Sequence, residues 1–303
     1  MSIPESQLTT WANQGAVTSA KATHESIRSA LGQYRFPAGV DYEIFLQGSY
    51  KNDTNIRGDS DVDVVVQLNS TIRCNTSLLT DTERRLYDQL YSDVAYGWRE
   101  FRAEVLAALQ SRYGRTAVRE GKKSLKLPSG ILPLPADVVV AIKHRTFKRI
   151  VSQYDQDFLD GIAIFVTQEN RWILNYPQLH FENGVTKNSP THTNGWFKHT
   201  VRIFKNARTH LVARRQLAEP TAPSYCIECL VYNASDGKFG TSYQNTFYNV
   251  LNWMSSVDLN SLACQHCQDK LCAATILTST PEQWPTYDAR NYITKLIDLW
   301  NNW

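Results

Sequence analysis

The run Asp61-Val62-Asp63-Val64-Val65-Val66-Gln67-Leu68 constrains the fold more than any other stretch of the 303-residue chain. β-branched side chains lose freedom in a helix and pack well on a pleated surface, so this run predicts a buried strand. A second run, Asp137-Val138-Val139-Val140-Ala141-Ile142, predicts another. Residues two apart in a strand share a face, so Asp61 and Asp63 point together while Val62 and Val64 turn to the core. The two carboxylates repel each other, and no cation stands beside them in the sequence. A hard divalent ion offsets such repulsion and takes oxygen ligands. If the two strands are neighbours, Asp137 joins Asp61 and Asp63 in a cluster able to hold two metal ions for phosphoryl or nucleotidyl transfer. D-x-D taken alone also fits two solvent-facing residues on an edge strand.

The rest of the chain divides around these strands. Residues from Pro4 to about Leu31 read as one long helix, with Leu8, Trp11, Ala12, Ala16, Ala20, Ile27 and Leu31 at rough helical spacing. Pro37-Ala38-Gly39 breaks that pattern, and Tyr42 to Gln47 reads as a short strand ending at Gly48-Ser49. Residues 51–60, rich in Asn, Asp and Gly, read as loop or short helix. A helical stretch from about Thr82 to Tyr113 is interrupted near Gly97, and Lys122–Leu127 reads as a strand. Beyond about residue 170 β-rich runs nearly vanish; residues 196–215, 223–233, 241–256 and 287–300 read as helices. The expected division is an α/β half, 1–170, and a helical half, 171–303. No internal repeat or low-complexity tract is visible.

Charge and composition exclude several classes. A net charge of +3, from 32 Lys and Arg against 29 Asp and Glu, is too small a surplus for a general nucleic-acid binder. No stretch approaches the ~18 apolar residues of a membrane span. The start, Met1-Ser2-Ile3-Pro4-Glu5-Ser6-Gln7, lacks the basic and apolar blocks of a secretory signal, so a cytoplasmic location is expected. Cys226-x-x-Cys229 and Cys264-x-x-Cys267, with His266 and Cys272 nearby, superficially read as a zinc set. The apolar surroundings of Cys226 and Cys229 favour buried thiols instead.

Gly48 and Ser49 add a second kind of chemistry. They end a strand and begin a helix, where unpaired N–H groups and the dipole suit a phosphate, Gly lets the ligand approach, and Ser adds a hydroxyl. Strand, Gly-Ser, D-x-D twelve residues after the Ser, then a distant Asp on another strand is the signature of the DNA polymerase β-like nucleotidyltransferase superfamily. Within it, Phe45 to Val66 resembles the bacterial cGAS/DncV-like nucleotidyltransferases (CD-NTases). So do Leu134 to Val140, Asn175-Tyr176-Pro177 with His180 to Asn188, and Pro223-Ser224-Tyr225 to Asn233. The resemblance covers essentially the whole chain and is greatest to the clade E enzymes that use uridine nucleotides.

That resemblance implies an α+β fold: a DNA polymerase β-like core, with a mixed sheet and a long N-terminal helix, plus a C-terminal helical domain that closes the nucleotide pocket. It implies Mg²⁺-dependent synthesis of a cyclic dinucleotide from UTP and ATP, cyclic di-UMP or cyclic UMP–AMP, in antiphage (CBASS) defence. Asp61, Asp63 and Asp137 would hold two Mg²⁺ ions, for which Mn²⁺ can substitute. Gln47, Gly48 and Ser49 would line the phosphate site, and Lys205 matches the family lysine that reaches the triphosphate, with Lys198 beside it. On spacing alone Lys198, Arg202 and Lys205 are equally a solvated cationic stripe. Ser224 would touch phosphate, although a hydroxyl at a helix start also serves as a cap. Tyr225 would stack on a base, its ordinary alternative being core packing. Asn175 matches the position tied to pyrimidine preference, while on its own an Asn before Tyr-Pro reads as a turn residue. The expected partners are the nucleotides and a separately encoded effector for the product, with no membrane or nucleic acid, and the enzyme is expected to be a monomer. The competing functions are nucleotide transfer to an RNA or protein acceptor and a non-catalytic nucleotide-responsive module. No RNA-binding tract and no lost carboxylate favours either.

Overall fold

The computed structural model describes residues 2–58, 61–92, 96–265, 269–273 and 282–303. They form two compact units, neither of them one continuous stretch. The first comprises Val17–Tyr50 and Ser60–Pro177, and the second Met1–Ala16, Lys51–Asp59 and Gln178–Trp303. The sequence reading places a single boundary after residue 170. The expected long first helix is instead two, α1 (Glu5–Ala12) and α2 (Thr18–Gly32). Between them the Gly15 amide donates to Asn55 O at 3.1 Å, and a Cβ on Gly15 would overlap Ile56 O. A close approach between residues forty apart breaks the helix, which local periodicity cannot display.

In the first unit the chain continues through β1 (Tyr42–Leu46), α3 (Gly48–Asn52), β2 (Val62–Asn75), α4 (Asp81–Leu90) and α5 (Trp98–Tyr113). It then runs through β3 (Arg119–Glu120), β4 (Leu125–Leu127), β5 (Ala136–Ile150), β6 (Gln156–Val166) and β7 (Arg171–Asn175). These strands form one mixed sheet in the order β1-β2-β5-β4-β3, with β6 pairing with β5 and β7. The two valine-rich strands lie side by side and parallel, with Val62 opposite Ala136, Asp63 opposite Asp137 and Val64 opposite Val138. Ile27 and Leu31 of α2 and Phe101 and Val105 of α5 share a buried core with Val62, Val64, Val66, Val138 and Val140. Each such burial is worth roughly 1.5–3 kcal/mol. Val65, Ala141, Ile162 and Ile164 form a smaller core on the alternate positions. Asp63 and Asp137 belong to that second parity, so the face carrying them is the one that α2 and α5 do not cover. The β4 strand is shorter than expected, and β6, β7 and the next helix are absent from the sequence reading.

The helical unit contains most of α6 (Pro177–Asn188), then α7 (Trp196–Ala213), α8 (Ser224–Tyr232), α9 (Tyr243–Ser256) and α10 (Thr286–Asn301), with short strands β8 (Cys272–Ala273) and β9 (Trp284–Pro285). The apolar stripe of α7, Phe197, Val201, Phe204 and Leu211, is fully buried, as the spacing predicts. It packs with Ile227, Leu230, Phe247, Val250, Tyr292 and Leu296, and with Ile3, Leu8 and Trp11 of the first stretch. Phe204 and Phe247 stack at 4.6 Å. Cys226, Cys229 and Cys272 are buried free thiols. His266 and Cys267 lie outside the described residues. Among the described residues, no helix is long and apolar enough to cross a membrane.

Candidate active site

The parallel pairing of β2 and β5 sets Asp63 and Asp137 directly opposite each other, both partly exposed. Asp61 is exposed and precedes the first residue of β2, so strand alternation does not set its direction. Among the described residues no three His, Cys, Asp or Glu side chains are already gathered around a point that could hold an ion. The structure therefore brings two of the three expected carboxylates into one register row and leaves the third at its edge. Asp137 Oδ2 lies 3.4 Å from Lys126 Nζ, which reaches it from the paired position on β4. Lys126 is absent from the sequence reading; the alternation Leu125-Lys126-Leu127 places it on the outer face, but only the pairing of β4 with β5 supplies its partner.

The turn from β1 into α3 comes up against Asp63. Gln47 N donates to Asp63 O at 2.9 Å, and Gly48 adopts φ +68°. A Cβ on Gly48 would overlap Asp63 Oδ2, so only glycine allows this approach. Gln47 Oε1 is buried with no hydrogen bond among the described residues. An all-oxygen donor set near an unsatisfied buried side-chain carbonyl fits a hard divalent cation. Ser49 follows in the first turn of α3, partly exposed. Asn175 ends β7, and its Oδ1 accepts from Tyr176 N at 2.9 Å. The turn role is thus present, and it occupies one lone pair of the side chain.

In the helical unit the expected residues fare differently. Lys205 is buried to 2% exposure, with its ammonium on Thr54 O at 3.1 Å, Thr54 Oγ1 at 3.2 Å and Glu228 Oε2 at 3.4 Å. It is an internal cation with protein partners rather than a phosphate-facing one. The solvated-stripe reading also fails for Arg202, which is buried and donates to Ala12 O and Asp53 O. Lys198 pairs with Asp53 at 2.9 Å. Glu228 lies 2.9 Å from His180 Nε2 and accepts from Thr54 Oγ1 at 2.8 Å. Burial alone would raise the Glu228 pKa. The Lys205 charge, the His180 bond and the Thr54 hydroxyl outweigh it and hold the carboxyl at about 2. None of Glu228, His180 and Thr54 is assigned a role in the sequence reading.

Ser224 is the first helical residue of α8, behind Pro223, which holds the N-cap position and has no side-chain oxygen to cap with. Ser224 is therefore not the N-cap residue itself. Tyr225 is 38% exposed, which excludes plain core packing. Burial, and after it the neighbouring thiols of Cys229 and Cys264, push its pKa up.

A mixed sheet with a Gly-Ser turn against one of two paired aspartates, followed by a helical unit, defines a nucleotidyltransferase. Residues 27–158 match the model of the nucleotidyltransferase domain, and residues 182–301 that of the cGAS/DncV-like nucleotidyltransferase C-terminal helical domain. The chain belongs to the cGAS/DncV-like nucleotidyltransferases. It is 47% identical over its full length, and 99% of the relative's, to the cyclic UMP-AMP synthase of Rhodothermus marinus. It is 35% identical, over 100% of both chains, to the cyclic nucleotide synthase CdnE01 of Staphylococcus haemolyticus. The solved Rhodothermus marinus CdnE c-UMP-AMP synthase with Apcpp and Upnpp superposes with a TM-score of 0.88, covering 99% of this chain and 97% of that one.

Proposed function

We propose that the chain joins one uridine and one further nucleotide, UTP with ATP or a second UTP, into a cyclic dinucleotide, releasing two pyrophosphates. The observation that carries this reading is the Asp63–Asp137 row with Gly48 seated against the Asp63 carboxylate. The first transfer is in-line attack of one ribose hydroxyl on the α-phosphate of the other nucleotide, with pyrophosphate leaving; a second transfer on the linear product closes the ring. Divalent cations, two Mg²⁺ for which Mn²⁺ can substitute, would neutralise phosphate charge and lower the hydroxyl pKa, and Asp61, Asp63 and Asp137 are the residues that would hold them. Lys126 offsets the charge of Asp137 until the substrate complex forms. Gln47 offers its side-chain amide to phosphate, Gly48 and Ser49 offer backbone and hydroxyl donors, Ser224 offers its hydroxyl, and Tyr225 offers an aromatic face to a base. Lys205 holds Glu228 in place inside the helical unit. The product acts on a separately encoded effector, and the enzyme works as a monomer in the cytoplasm.

Asn175 sets the base. Its Nδ2 donates to a uracil carbonyl, and the remaining Oδ1 lone pair accepts from N3–H. The test is incubation with the four labelled NTPs at equal concentration and Mg²⁺, followed by phosphatase. The expected result is a phosphatase-resistant product containing uridine. Asn175→Ser should move incorporation toward purines by a factor of about 5–150, the 1–3 kcal/mol of one lost buried polar match. A purine-only product from the unmodified chain, or an unchanged base ratio in the variant, refutes the assignment of Asn175. Linear products alone refute cyclisation.

A further inference from the structure

Tyr225 and Glu228 stand three residues apart on α8 and so share a face of the helix. His180, from α6, touches both. Its ring centroid lies 5.6 Å from that of Tyr225 with the planes inclined by 32°, and its Nε2 lies 2.9 Å from Glu228 Oε1. His180 is 7% exposed and Glu228 3%, whereas Tyr225 keeps 38% of its surface open. The other oxygen of Glu228 takes Thr54 Oγ1 at 2.8 Å and Lys205 Nζ at 3.4 Å. A carboxylate, an ammonium and an imidazole buried together cost desolvation that apolar side chains of the same volume avoid. What such a network provides is direction, since each member is fixed by bonds of defined geometry.

We infer that His180, held by Glu228, is a positioning residue that sets the angle of the Tyr225 ring and thereby the fit of the base stacked on it. The inference rests on the reading of Tyr225 as the base platform. The His180 ring packs against the Tyr225 ring, and the thiols of Cys229 and Cys264 neighbour the tyrosine. Lys205 acts at one remove by keeping Glu228 in place.

Steady-state kinetics on the full-length chain test this, with thermal melting as a control for folding. Tyr225→Ala should raise the KM for nucleotide about tenfold, the low end of a stacking contribution. His180→Gln keeps a donor for Glu228 but removes the ring, so the polar network survives; it should raise KM by about three- to tenfold with kcat within about twofold. His180→Phe restores a ring behind Tyr225 and should bring KM back toward the original value. The Tyr225→Ala/His180→Gln double variant should match Tyr225→Ala alone. If Tyr225→Ala raises KM while His180→Gln melts normally and leaves KM unchanged, or if the two effects add, His180 does not position Tyr225. If Tyr225→Ala itself changes nothing, the platform reading fails and the inference falls with it.

Discussion

The carboxylate of Asp63 has a glycine for a close neighbour, and this makes Gly48 the least replaceable residue of the turn. Alanine there meets two obstacles, a φ of +68° and the space taken by Asp63 Oδ2. Gly48→Ala should cost about 1–2 kcal/mol of stability by the backbone effect alone. It should also reduce product formation on the order of tenfold or more by displacing Asp63. Urea denaturation and a product assay separate the two losses; full activity with unchanged metal requirement would show that the Asp63 position is not needed. The sequence makes these residues legible because the constraint is local: Gly48 and Asp63 both mark their own strand ends. Lys205 is a different case. Its type and spacing suit a triphosphate, but Thr54 and Glu228, far away along the chain, enclose it, and neither partner can be read from α7.

Helix α8 carries three kinds of residue within two turns: Ser224 at its open end, Tyr225 half in solvent and Glu228 inside. Its N-cap is Pro223, which has no side-chain oxygen to offer the first turn, and a helix start of this kind suits a phosphate. Ser224→Ala should raise the KM for nucleotide about tenfold with kcat little changed, the ~1.5 kcal/mol of a hydrogen bond to a charged group. An unchanged KM would remove Ser224 from the phosphate contacts. The other end of this element predicts acid sensitivity. The Glu228 carboxyl falls from an ordinary 4.5 to about 2 on folding. Its stabilisation is therefore fully present above pH 4.5 and is lost as pH falls toward 2. The melting temperature should drop more steeply over that window in the unmodified chain than in Glu228→Gln; parallel curves would mean that the network contributes nothing. Elements with their own apolar period, such as α7 and β2, could be read in advance. β6 could not, because its first half, Gln156 to Gly161, mixes three polar residues and a glycine with Phe158 and Leu159, and its pairing with β5 makes it a strand.

At the scale of the molecule, the order of parts along the chain differs from their order in space. Ile3 and Leu8 are fully buried in the core that α7, α8, α9 and α10 build. Glu5 accepts from the amides of Tyr243 and Gln244 at 2.8 and 2.7 Å, an acidic partner for the start of α9. Trp11 meets Trp303 edge-on at 5.6 Å. Leu8→Ala should accordingly cost about 2–5 kcal/mol, and hydrogen exchange should rise in the amides of α7 and α9, nearly two hundred residues downstream. Exchange confined to α1 would contradict that packing. A helix of eight residues is marginal by itself in water. During synthesis α1 leaves the ribosome long before α7, α9 and α10, whose buried residues share a core with its Leu8 and Trp11. Until those helices follow, Leu8 and Trp11 lack the core that buries them in the folded unit. The helical unit closes only after α10 has been made, so a chain cut short before α10 has no finished helical unit.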